Sequence, residues 1–357
     1  MKVELLTPLH IGTGNEVPEF EYRLDGAELI RISLASLLAS DPGAVEVLNE
    51  FATRAGVMRY LDSKSDLWDH HLLYYLRGEI EDFDETCEPE TVVRECVKAS
   101  FGNYPLLPGS SLKGALLTGW LFGEGWENLS QIEQANLRQS TITKFEVSLE
   151  REVYDKLSGK NPEWGFRSRD RLPNLLSDRL WISDIELTGD FEIRQAIRKI
   201  KRETFDPWIE CIATGASGAR PGRFRQEGNG KRTVEELCRR CNIFAECLVM
   251  AERQFFAYCL DERKRYIKEM PAAYTANSPL FNHLNEAQKT KNTCVVRIGW
   301  ASNKNAASLT LLNSNGDLFN QPPGTRSPRR RPKSRWSMKD GTPFGWCVVT
   351  FEEGDYE

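Results

Sequence analysis

The sequence predicts an α+β chain whose two halves each carry an antiparallel sheet. Three observations predict it: alternating strands open the chain, its longest helical pattern runs from Thr233 to about Lys268, and strands return at the end. At 357 residues the chain exceeds what one compact core usually holds, so two domains are expected, 1–200 and 201–357.

The elements follow in order. "VELLTPLHIG" alternates and is rich in β-formers, and "EFEYRLDGAELIRIS" is two alternating runs joined at Asp25-Gly26, a hairpin signal. "SLASLLAS", from Ser33, reads as a short serine-capped helix, and a second helix is expected over about 42–55. Glu79 to Glu95 is strongly acidic and reads as a solvated surface segment. Pro108 and Gly109 turn the chain into a helix that Ser110 or Ser111 caps, with Leu112, Leu116, Trp120 and Leu121 as its apolar stripe. A polar helix over 128–139 and a long loop over 151–176 follow.

"RLWISDIEL" and "WIECIATGAS" read as strands, with "FEIRQAIRKIKRETF" between them as strand and polar connection. Residues 219–232 form a Gly- and Arg-rich loop. From Thr233 the apolar positions Val234, Leu237, Cys238, Cys241, Phe244, Ala245 and Leu248 recur at helical spacing, as one core helix or two in tandem. "TCVVRIGW" and "FGWCVVTFEE" are the closing strands.

Composition excludes several function classes. With 28% charged residues and a formal net charge of −5 this is no uniformly basic nucleic-acid coat, so any such surface must be local. No apolar stretch reaches the ~18 residues of a membrane span, and "MKVELLTPLH" lacks the apolar region of a signal peptide, so no membrane partner and a cytosolic location are expected. Nine cysteines, an odd number spread along the chain, fit free thiols.

Four stretches carry candidate chemistry. At the helix entry, Lys113 opposes the helix dipole by ~0.3–1 kcal/mol, which a bound anion would reverse. Free N–H groups beside Gly109, Ser110 and Ser111 together with that ammonium form a phosphate site. The G-x-x-x-x-G-K-[ST] spacing is absent, so nucleotide hydrolysis gains no support. In "HIGTG", the glycines Gly12 and Gly14 with Thr13 permit close backbone approach to a ligand, while His10 reads first as a structural histidine. "CRRC", Cys238 to Cys241, is half of a zinc pattern, but its place on an apolar helix face favours core cysteines; no cofactor is expected. "TRSPRRRPKSRWSMK" concentrates Arg326, Arg329, Arg330, Arg331, Lys333, Arg335 and Lys339 with Trp336 and no acid, which suits phosphate neutralisation plus base stacking.

Together, "LLTPLHIGTGNEVPEFEYRLDG", "YPLLPGSSLKGALLTGWL", "RLWISDIEL", "VVRIGWASNKNAASLTL" and "PKSRWSMKDGTPFGWCVV" resemble the RAMP superfamily of CRISPR-associated proteins. Length and opening are most similar to the Csm-type subunit that caps the 3′ end of the guide RNA in type III-A complexes. The resemblance implies tandem ferredoxin-like (RRM-type) domains with helical and loop insertions, binding of guide and target RNA, and assembly with other RAMP subunits. It adds Arg297, Trp300 and Lys304 of the late strand and loop to the RNA-contacting residues, although the glycine-rich loop of the family is degraded here to "RIGWASNKNAAS".

A non-catalytic RNA-binding subunit is therefore the leading expectation. A RAMP endoribonuclease is the alternative, with His10 and Lys113 as its acid–base candidates. A third reading is an adaptor docking proteins through the acidic segment 79–95.

Overall fold

The computed structural model describes residues 1–25, 28–41, 54–86, 91–100, 103–127, 180–199, 206–224, 230–260, 269–275, 278–301, 335–352 and 355. The expected turn at Gly26, most of the helix over 42–55, the polar helix over 128–139, the loop over 151–176, Lys304 and the run from Arg326 to Lys333 lie outside them.

Two sheets organise the chain. One has four antiparallel strands in the order β13 (Ser217–Ala219), β1 (Lys2–Leu5), β17 (Trp346–Thr350), β15 (Thr293–Arg297). In β1, Val3 and Leu5 face inward and Lys2 and Glu4 outward, the period-2 pattern of a half-buried strand. The first and last strands of the chain are neighbours, Lys2 opposite Thr350 and Leu5 opposite Cys347.

The second sheet has seven strands. Its order is β2 (Gly12–Pro18), β6 (Val92–Cys96), β12 (Trp208–Ile212), β10 (Phe191–Gln195), β5 (Leu72–Gly78), β4 (Glu28–Ile32), β3 (Tyr22–Asp25). The expected hairpin is there, with Asp25 opposite Glu28. The sheet is mixed rather than antiparallel, because β6 runs parallel to β12 and β5 to β10. Parallel neighbours need long crossovers, which the chain supplies between Gly78 and Phe191 and between Cys96 and Trp208. Residue 200, where the sequence divides into halves, falls between β10 and β12, which pair directly.

Three short ladders connect the rest: β7 (Leu106–Leu107) with β9 (Ile185–Glu186), β8 (Leu180–Trp181) with β14 (Arg223–Phe224), and β11 (Ile197–Lys199) with β16 (Arg335–Ser337).

Helix α1 (Leu34–Ser40) starts where Ser33 Oγ accepts from the Ser36 amide, the expected cap. With α2 (Arg54–Ser63) and the single turn α3 (Trp68–His71) it packs on β4, burying Ile30, Ile32, Leu37, Tyr60 and Leu61. The acidic stretch is not merely solvated. It becomes α4 (Ile80–Thr86) and β6, because Phe83 and Val93 give it apolar side chains to bury.

Helices α5 (Gly109–Glu127) and α6 (Gly230–Leu260) pack on one another, and α7 (Pro279–Lys289) lies beside β15, its start capped by Ser278. Leu112 and Leu116 of α5 and Leu237, Cys238 and Cys241 of α6 join Val3, Leu5, Leu76, Ile193 and Val349 of the two sheets in one core. Cys238 and Cys241 are thus core cysteines, and among the described residues no group of three His, Cys, Asp or Glu is arranged to hold a metal. No described helix is long and apolar enough to cross a membrane.

The contact between α5 and α6 depends on small residues. A Cβ on Gly119 would stand 2.6 Å from Cys241 Sγ, whereas one on the exposed Gly114 meets nothing within 4 Å. Gly119→Val should therefore lower stability by about 1–3 kcal/mol through overpacking. Gly114→Ala should raise it by up to about 1 kcal/mol through helix propensity. Urea unfolding of the two variants measures both signs.

Candidate nucleic-acid interface

The segment Pro8–Ile11 carries the chain from β1 to β2, and five backbone hydrogen bonds from four other segments fix it. Leu9 and Ile212 exchange bonds at 3.0 and 2.8 Å, the Gly345 amide donates to Pro8 O at 2.8 Å, Trp300 to His10 O at 2.9 Å and Val97 to Ile11 O at 2.8 Å. The late glycines permit this approach. Gly299 and Gly345 have φ of +82° and +85°, and a Cβ on Gly299 would lie 2.6 Å from His10 O. "HIGTG", "RIGW" and "FGW", far apart in sequence, thus meet at one place.

Beneath this segment lies Glu210 of β12, fully buried in the otherwise apolar strand "WIECI". Tyr22 and Tyr74 donate to its Oε1 at 2.8 and 2.5 Å, and the Cys96 amide and Lys98 Nζ donate to its Oε2 at 2.9 and 2.7 Å. Four donors use the acceptor capacity of an ionised carboxylate. Burial, and then the Glu210 charge, pushes both phenols above their ordinary range, so they remain protonated donors. Lys98 Nζ also stands 4.7 Å from the Tyr74 ring centre, so its charge is enclosed by a carboxylate and an aromatic face.

His10 sits on the crossing segment Pro8–Ile11, 2% exposed, with Nδ1 2.7 Å from Glu210 O. A carbonyl only accepts, so Nδ1 carries the proton. Burial holds the imidazole below its ordinary pKa, against the hydrogen bond to Glu210 and that residue's charge. Arg297 is likewise turned inward: its guanidinium donates to Phe344 O at 3.0 Å and Ala301 O at 3.2 Å and faces Glu252 at 3.9 Å. Both were expected to touch RNA. Their bonds inside the fold make them positioning residues instead.

Above them the surface opens. Between Gly12 and Glu16 the ladder with β6 shifts register, since Gly12 faces Cys96 and Glu16 faces Arg94, leaving a bulge at Thr13–Asn15 on an edge strand. Residues 12 to 16 are exposed, Gly14 has φ of +91°, and nothing lies within 4 Å of a Cβ built there. Thr13 Oγ1 and Asn15 Nδ2 both donate to Glu95 Oε2, at 3.1 and 3.0 Å, which orders the bulge. These hydrogen bonds, with Lys98 nearby, hold the Glu95 carboxyl below its ordinary pKa against the cost of burial.

Next to the bulge, the half-buried Trp300 meets His10 edge-on at 5.7 Å and Trp336 at 5.2 Å, with the Arg94 guanidinium 5.1 Å from its ring centre. Within the basic run of the sequence, Arg335 stands directly before Trp336. Thr13, Gly12, Gly14 and Trp300 are therefore brought together, and Arg335 enters through β16.

The helix start is a second place. The Gly109 amide donates to Asp184 Oδ1 at 2.8 Å, and the Ser111 and Leu112 amides bond to Pro108 O at 3.0 and 3.2 Å. A Cβ on Gly109 would collide with the Ile182 carbonyl, so glycine is what lets segment 182–184 reach the helix. This corrects the expectation of a row of open amides. The anion favoured at this helix end is supplied at least in part by the chain itself, through the Ser-Asp end of "RLWISD". Ser110 is exposed and Ser111 and Lys113 half-buried, and the exposed Tyr104 and Trp181 lie on the segments leading into this corner.

Glu210, Asp184 and Arg94 are what sequence reasoning missed. A lone acid inside an apolar strand pattern marks Glu210. Nothing local marks the other two, whose partners lie far off in sequence.

The family model of the RAMP superfamily matches residues 2–270. The chain belongs to this superfamily. No curated protein matches it. One similar solved structure is a chain from a cryo-EM structure of a Csm-crRNA-target RNA ternary complex in the type III-A CRISPR-Cas system, at 18% identity over 98% of this chain and 99% of that one, TM-score 0.58. Another is the crystal structure of T. onnurineus Csm5, at 16% identity over 98% of this chain and all of that one, TM-score 0.54. At these identities the likeness is one of RAMP fold, and it covers the α+β architecture from end to end.

The unfolded chain takes up a proton on histidine near pH 6.5, while folded His10 resists it, so the unfolded state binds more protons as pH falls below that value. The stability this histidine contributes is complete above pH 6.5 and is lost below it. The urea midpoint should drop as pH falls through this window, and that component should be absent in His10→Asn.

Proposed function

We propose that the chain is a non-catalytic RNA-binding subunit of a type III CRISPR effector complex, holding the 3′ part of the guide RNA at the end of the backbone filament. One observation carries this reading: in a RAMP chain, an exposed bulged glycine strand, Gly12–Asn15, adjoins the Trp300–Trp336 pair and Arg94. An open glycine turn accepts phosphates closely, and flat aromatic faces stack on unpaired bases of any sequence. Recognition is accordingly sequence-independent.

The contacting residues in this reading are Gly12, Thr13, Gly14, Trp300 and Arg335, with Lys304, Arg329, Arg330, Arg331 and Lys333 from the adjoining sequence. Gly109, Ser110, Ser111 and Lys113 form a subsidiary contact around the Asp184 cap. The partners are guide RNA, target RNA and neighbouring Csm-type RAMP subunits, and the compartment is the cytoplasm. The inward placement of His10, the acid–base candidate for cleavage, supports a binding role over a nuclease.

Filter binding of single-stranded RNA to the purified chain across a salt series tests this. Changing Arg329, Arg330 and Arg331 together to Ala should weaken binding and reduce the slope of log K against log salt by about 2, at ~0.7 per phosphate neutralised. An unchanged slope, or metal-free cutting of the RNA that disappears in His10→Ala, would overturn the reading.

A further inference from the structure

The bulge on β2 already holds an anion, and that anion is part of the chain. Thr13 Oγ1 and Asn15 Nδ2 donate to the same atom, Glu95 Oε2, at 3.1 and 3.0 Å, and Lys98 Nζ stands 3.5 Å from Glu95 Oε1. The Asn15 amide in turn donates to Thr13 Oγ1 at 3.0 Å, which leaves that hydroxyl its own proton to give to the carboxylate. Two neutral donors and an ammonium around one carboxylate are also the groups that receive a phosphate.

None of these donors depends on Glu95 to be satisfied. Lys98 has the buried Glu210 carboxylate at 2.7 Å. Thr13 and Asn15 are exposed, where water serves as a partner and a contact to a charge contributes little to stability. The Glu95 side chain is itself 22% exposed, which leaves it a path outward to water. Gly14, between the two donor residues, has no described atom within 4 Å of its Cβ position, so there is room on that side for a group larger than a carboxylate. A fixed carboxylate on a surface that receives a polyanion repels what the surface attracts. One that keeps the donors in place and then yields does not.

We propose that Thr13 and Asn15 form a phosphate seat that Glu95 occupies in the free chain, and that a phosphate of an unpaired RNA strand takes its place on binding. This assignment rests on the RNA-binding reading above, adds Asn15 to its contacts and makes Glu95 an internal competitor. An unpaired strand is chosen because the Trp300–Trp336 pair beside the bulge offers faces to unpaired bases. Exchange of one anion for another also makes the seat selective. A free phosphate gains little by displacing Glu95, whereas a strand held elsewhere on the chain brings its phosphate at high effective concentration.

The test uses the full chain and an oligouridylate. Glu95→Gln keeps an acceptor for the bulge and removes the competing charge, so binding should tighten by about fivefold, the worth of roughly one charged contact at a surface. Thr13→Val/Asn15→Ala should weaken binding, and in that background Glu95→Gln should bring no gain, because the seat is gone. Simple repulsion between Glu95 and RNA would persist there in full, so the cycle separates exchange from repulsion. In the wild-type chain the side-chain amide resonances of Asn15 should shift when oligouridylate is added, a readout that needs no substitution.

If the wild-type chain binds oligouridylate and Glu95→Gln leaves binding unchanged or weaker, Glu95 only orders the bulge; the exchange proposal fails and the RNA-binding reading stands. A gain that survives in full without the Thr13 and Asn15 donors overturns the proposal as well. If neither the wild-type chain nor Glu95→Gln binds oligouridylate, both fall.

Discussion

A single buried carboxylate, Glu210, sets the geometry on which the rest of the structure depends. An ionised acid inside an apolar strand would cost several kcal/mol if left unsatisfied. Here it is answered by two phenols, one amide and one ammonium, drawn from β3, β5, β6 and Lys98, two residues past β6. The same residue's carbonyl holds His10. One position in β12 therefore fixes the relative placement of four strands and of the segment that crosses between the sheets. Because the hydrogen bonds are directional, this specifies register in a way that apolar contacts in the same core do not.

That placement is what turns dispersed motifs into a surface. Gly299 and Gly345 let two late loops approach Pro8–Ile11, and only then do Trp300 and Trp336 stand beside the bulge at Thr13–Asn15. The buried members of the group, His10 and Arg297, hold the exposed members in position. The helix start follows the same logic, since the motif glycine Gly109 admits segment 182–184 and the Asp184 carboxylate then caps the helix. In both places glycine serves chain-to-chain approach inside the protein as much as approach to a ligand.

Much of the fold is legible in the sequence because it rests on local signals. The Ser33 cap, the hairpin about Asp25, the stripe Leu112–Leu116 and the long helix from residue 230 all follow from spacing within a few turns. The parallel pairings of β6 with β12 and β5 with β10 are not legible, since they join strands separated by long crossovers. The site divides the same way. Gly12, Gly14, Trp300 and the basic run could be picked out by residue type. That His10 and Arg297 turn inward could not, because burial is decided by Glu210 and by the Phe344 and Ala301 carbonyls, none of them near in sequence to His10 and only Ala301 near to Arg297.

The most direct measurement of this account is site-resolved amide hydrogen exchange on Glu210→Gln, which keeps the shape of the side chain and removes its charge. The account predicts stability lower by about 3 kcal/mol, with Lys98 deprived of its buried carboxylate partner. It also predicts protection lost first at the amides of Cys96, Val97 and Trp300 while the four-stranded sheet keeps its own. Wild-type stability with unchanged protection at those three amides would contradict it.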